Sequence, residues 1–122
     1  MIADRVFVGS DSSELEVRVV LQELRRSIDV LDTALVSILI ERFRLTERVG
    51  QLKADSGLHA SDPIREQEQL RRHRAQAEAH GADPEVIGSL MVTLMNLVKA
   101  RHREIHHELT YSEPADSDTE TP

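Results

Sequence analysis

The chain has 122 residues, 30% charged, 39% hydrophobic and only 2% aromatic, which allows one small domain and supplies too few large side chains for a β-sandwich. It contains no cysteine, which excludes disulfides and thiolate metal sites. The net charge of -7 is the sum of -3 in residues 1 to 16, -4 from Ser112 onward, and a neutral body with 14 acids and 14 bases; neutrality and the scarcity of aromatics argue against a nucleic-acid surface, yet permit a local cationic pocket.

Residues 1 to 12 carry no clear period and are expected to be a disordered N-terminal segment. Their longest apolar run, Val6-Phe7-Val8, is far short of a signal-peptide core or a membrane span, so the expectation is a soluble, cytoplasmic protein.

Helix one is expected to start near Ser13, where Ser13-Glu14-Leu15-Glu16 has the spacing of a capping box. Apolar residues then recur at Leu21, Leu24, Ile28, Leu31, Leu35, Ile38, Leu39, Leu45, Val49 and Leu52, mostly three or four apart. The pattern ends at Asp55-Ser56-Gly57, giving about 40 residues, or roughly 60 Å at 1.5 Å per residue. A stripe that long needs a partner of similar length, and a second copy of the chain is the simplest complete cover. The spacing therefore predicts an intertwined dimer.

Helix two has Asp62 as N-cap and Pro63 at its first position, runs through Leu70 to about His80, and stops at Gly81 in a left-handed turn. Asp83-Pro84 repeats the start signal for helix three, whose apolar face is wide: Val86, Ile87, Leu90, Met91, Leu94, Met95, Leu97, Val98 and Ile105. The domain is expected to end near residue 110. Residues 111 to 122 are acidic and rich in Ser, Thr and Pro, with no large aliphatic side chain, and are expected to be a disordered tail. The whole reads as an all-α protein of three helices.

Charges interrupt these faces in a pattern. Arg42 and Lys53 are 11 residues apart, so at about 100° per residue they differ in phase by only about 20°. Arg25 lies 17 residues before Arg42, roughly 25 Å along the axis, too far to share a small ligand with it on one helix. It must act elsewhere, or in the partner's site. Asp62, Arg65 and Glu66 fall within one turn at the start of helix two, where backbone N–H groups are free. Val98 and His102 are one turn apart on helix three.

Taken together, Leu24-Arg25-Arg26-Ser27-Ile28-Asp29-Val30-Leu31-Asp32, Glu41-Arg42, Val49-Gly50-Gln51-Leu52-Lys53 and Asp62-Pro63-Ile64-Arg65-Glu66 resemble the all-helical AroQ-type chorismate mutases over about residues 20 to 104. The resemblance implies a domain-swapped homodimer of three-helix chains with shared active sites. It also implies a small-molecule substrate, chorismate, rearranged to prephenate without cofactor or metal. Arg42, with Arg25 from the other subunit, would clamp the two carboxylates as guanidinium forks. Lys53 would sit at the ether oxygen, Asp62 and Glu66 would hold the ring hydroxyl, and Arg65 would help orient the head of helix two.

Helix three departs from the family. His102 stands where a glutamine usually donates to the ether oxygen, and Val98 where a serine is usual. A neutral or protonated imidazole could replace the amide as donor. That departure leaves substrate identity open between chorismate, 4-amino-4-deoxychorismate of antibiotic pathways and, third, isochorismate.

Each charge also has a plain structural reading. Arg25 and Arg42 could pair with Asp29 or Glu41, Lys53 could be an ordinary cation near a helix C-terminus, and Asp62 and Asp83 are adequate as caps. Met91 and Met95 read as core. His102 and His106 have metal-pair spacing but lack a clear third ligand, and Arg71-Arg72-His73-Arg74 reads as a solvated face. The competing class is a non-catalytic helical dimerisation module. A shikimate-pathway enzyme is a possible partner, although the mutases that need one tend to lack the aspartate present here as Asp62.

Overall fold

The computed structural model describes residues 11–118, with side chains described for 13–110. Three helices and no strand occupy these residues: α1 (Asp11–Asp55), α2 (Pro63–Ala79) and α3 (Pro84–Asp118). The all-α expectation holds. Contacts divide the chain into two units, Met1–Arg42 and Phe43–Pro122, with the boundary inside α1.

The internal boundaries follow the punctuation in the sequence. At the end of α1, Gly57 has φ +70°, and the amides of Gly57 and Leu58 donate to the carbonyls of Ala54 and Lys53. The end of α2 repeats this at Gly81, φ +73°, with Gly81 and Ala82 donating to Glu78 and Ala77. Both are Schellman closures, in which a residue without Cβ takes the left-handed conformation and the orphan carbonyls are satisfied. Asp62 caps α2, its Oδ1 accepting from the Arg65 amide at 3.2 Å, and Asp83 Oδ1 accepts from the Glu85 amide at 2.9 Å.

Two outer boundaries differ from expectation. The chain is already helical at Asp11, so Ser13 lies inside α1 instead of capping it; the run Asp11-Ser12-Ser13 offers cap-type residues in succession, and their order alone does not choose among them. At the other end α3 continues to Asp118, eight residues past the boundary expected at 110. The acidic composition of that stretch limits what it can bury, whereas lengthening an existing helix needs no new nucleus. The expectations for residues 1–10 and 119–122 lie outside the described residues.

Within the first unit, the apolar stripe of α1 is in water: Leu24 is 57% exposed, Ile28 52%, Leu31 67% and Leu35 52%. The second unit has its own small core. Ala77 of α2 and Met95 and Ile105 of α3 are buried, and so is His102, at 5% exposure. Gly50 lets the last turns of α1 approach α3 closely; a Cβ built there would stand 2.5 Å from the His102 ring and 2.9 Å from Ile105 Cδ1. No helix among the described residues is long and apolar enough to cross a membrane.

Candidate active site

The first unit holds two of the expected residues, both on α1. Arg25 is exposed and lines an open groove of about 580 Å³ with Arg18, Leu21, Gln22, Arg26 and Asp29 of the same helix. Arg42 is half-buried, and its Nη1 is buried without a hydrogen-bond partner. A guanidinium N–H left in that state is costly, and an anionic ligand is one way to satisfy it.

The second unit holds the remainder. Lys53 lies in the last turn of α1, where a cation is favoured by the helix dipole, and its Nζ reaches toward the Ala60 carbonyl at 3.4 Å. Asp62 ends the connecting residues 56–62 as the exposed cap of α2, so one carboxylate oxygen is engaged by backbone. Arg65 contributes its amide to that cap and exposes its side chain. Glu66, one turn into α2, is half-buried because Lys99 of α3 reaches across to it, Nζ to Oε1 2.9 Å.

On α3, Val98 is half-buried and His102 is buried. His102 Nε2 stands 2.8 Å from the Thr46 carbonyl, while Nδ1 is buried and has no hydrogen-bond partner. A carbonyl only accepts, so Nε2 carries the proton. In the neutral ring Nδ1 is then an acceptor, unable to donate to an ether oxygen. Of the two forms expected from sequence, only the imidazolium remains as a donor. Beside it, Arg101 grips Glu47 in a bidentate pair, Nη2 to Oε2 2.7 Å and Nε to Oε1 2.9 Å. That hydrogen bonding holds the Glu47 carboxyl below its ordinary range, against the opposing effect of desolvation.

Lys99, Thr46 and the Glu47–Arg101 pair were not legible as partners of the expected site residues. Their one sequence signal is a lysine interrupting the apolar face of helix three between Met95 and His102. Lys53, Asp62, Glu66 and His102 put an ammonium, two carboxylates and an imidazole on three helix segments of the second unit. What such groups supply is charge and hydrogen bonding to a polar, anionic ligand.

The model of the family described as chorismate mutase type II matches residues 24–103 of this chain. The chain is similar to a T-protein of Enterobacter agglomerans, 37% identical over 75 residues, which cover 62% of this chain and 20% of that protein. A T-protein of Haemophilus influenzae is 33% identical over 75 residues with the same coverage. A chorismate mutase of Methanocaldococcus jannaschii is 27% identical over 88 residues, covering 72% of this chain and 89% of that protein. The chain thus spans about a fifth of the T-proteins it matches and most of the archaeal protein.

Proposed function

Because the chain belongs to the chorismate mutase type II family, an isomerase family, we propose that it rearranges chorismate to prephenate in a domain-swapped homodimer whose two active sites each draw on both chains. The observation that carries this reading is the joint register of Arg25, Arg42, Lys53, Asp62 and Glu66 inside the matched residues 24–103. Independent surface charges have no reason to fall on one template. The exposed stripe of α1 supports the second copy, since apolar surface that extensive calls for cover. The catalytic domain of this proposal spans residues 13–110.

In the proposed site Arg42 and the second copy's Arg25 fork the two carboxylates of the substrate, selecting the compact conformer in which the reacting carbons approach. Asp62 and Glu66 hold the ring hydroxyl, whose one proton goes to a carboxylate, and Arg65 steadies the head of α2. One C–O bond then breaks as one C–C bond forms. The ether oxygen gains negative charge as its bond lengthens, and Lys53 with protonated His102 stabilises that charge more than the ground state. Val98 closes the site with apolar surface in place of a hydroxyl. Asp62, the aspartate that partner-dependent mutases tend to lack, favours a chain that works without a second enzyme.

Supplying the purified chain separately with chorismate, its 4-amino analogue and isochorismate, and identifying any product, tests the activity. Prephenate from the first is expected; no product from any of them would favour a helical dimerisation module. Mixing tests the shared site. Arg25→Ala and Lys53→Ala are each expected to be nearly inactive, but re-annealed together they should recover about a quarter of wild-type turnover, because half of the dimers regain one intact site. No recovery would place Arg25 and Lys53 in the same chain's site.

A further inference from the structure

We propose that Lys99 is a specificity-determining residue, which makes the site prefer a ring hydroxyl over a ring ammonium at the substituent received by Glu66. The inference rests on the reading above, in which Glu66 meets that substituent. Lys99 Nζ lies 2.9 Å from Glu66 Oε1, and the two side chains are only 27% and 25% exposed, so the pair is largely withdrawn from water. It lies along a groove of about 270 Å³ between α2 and α3, lined also by Gln67, Leu70, Met95 and Asn96.

The charges decide what Glu66 accepts. Glu66 and Lys99 neutralise one another, so Glu66 offers Oε2 as a hydrogen-bond acceptor without offering net negative charge. A hydroxyl needs only an acceptor. An ammonium needs an uncompensated carboxylate, and hydrogen-bonded to Glu66 it would stand about two hydrogen-bond lengths from the Lys99 cation. In a partly desolvated groove that repulsion is weakly screened. Asp62 does not restore the balance: it is exposed, and its charge is answered by the N-terminus of the helix it caps. Lys99 therefore holds Glu66 in place for a neutral donor and excludes a cationic one.

The test is the ratio of kcat/KM for 4-amino-4-deoxychorismate to that for chorismate. It is measured in the full chain, in Lys99→Met, which keeps the stem and removes the charge, and in Lys99→Arg. The wild-type chain is expected to favour chorismate by at least about tenfold, the difference that about 1.4 kcal/mol produces. Lys99→Met should raise the ratio about tenfold or more, and Lys99→Arg should keep it within about twofold of wild type, which loss of packing alone would not do. A wild-type preference for the amino compound overturns the proposal whether or not the variants fold. An unchanged ratio in a folded Lys99→Met chain that still turns over chorismate overturns it too, and leaves the mutase reading standing. Turnover of neither compound by the wild-type chain removes both.

Discussion

His102 Nε2 and the Thr46 carbonyl, 56 residues apart in sequence, stand 2.8 Å apart and tie α3 to the last turns of α1. This bond dictates the tautomer, and with it the only protonation state in which His102 can donate through Nδ1. If His102 serves the ether oxygen, His102→Gln, whose amide can donate in its place, should keep most of kcat/KM for chorismate. His102→Ala should lower turnover and also cost about 1 to 3 kcal/mol of stability through the lost buried bond. Equal kcat/KM in wild type and a folded His102→Ala chain would confine His102 to packing.

Gly50 faces the same ring. A methyl added there would meet His102 Cδ2 at 2.5 Å and Ile105 Cδ1 at 2.9 Å, and the ring cannot swing away without leaving Thr46. In an open helix Gly→Ala gains about 1 kcal/mol from propensity. Overpacking of a closed contact costs about 1 to 3 kcal/mol. Gly50→Ala should therefore lower the unfolding free energy in a urea titration. The loss should shrink in Gly50→Ala combined with His102→Ala, a coupling that a double-mutant cycle reads directly.

The difference between what could and could not be read in advance lies in sequence distance. The inner helix boundaries were legible because Asp62-Pro63, Gly81 and Asp83-Pro84 each restrict the backbone within a few residues of themselves. Gly50 carried a weaker signal, a lone glycine inside a helical pattern, which marks close approach without naming what approaches. Lys99 on Glu66 and His102 on Thr46 span 33 and 56 residues, and only the packing of helices against one another selects those partners. Helical spacing put Val98 and His102 one turn apart on helix three, while which of the histidine's nitrogens would be occupied depended on a carbonyl no pattern identifies.

Glu47 and Arg101 form another link between α3 and the end of α1, and its contribution depends on pH. The hydrogen bond from Arg101 lowers the Glu47 pKa from the ordinary value of 4.5. A depressed folded-state value means that stabilisation is fully present above the unfolded value and is lost as pH falls through the folded one. Glu47→Gln should therefore melt slightly below wild type at pH 7, and the two should converge as pH drops below 4.5. The effect is small because the side chains are 38% and 42% exposed, and added salt should reduce it further. A difference that persists unchanged at low pH would assign the loss to packing instead of charge.

Asp62 has a structural task and a proposed chemical one, and two substitutions separate them. Its Oδ1 accepts from the Arg65 amide at the start of α2, so Asp62→Ala should cost about 1 kcal/mol of stability from the cap alone. Serine at this place can still accept from the same amide but carries no charge. Asp62→Ser should accordingly unfold within a few tenths of a kcal/mol of wild type, while KM for chorismate rises and turnover falls, because the acceptor for the ring hydroxyl shortens and loses its charge. Were Asp62→Ser to match wild type in both stability and kinetics, Asp62 would be a cap and nothing more, and recognition of the ring substituent would fall to Glu66 as Lys99 holds it.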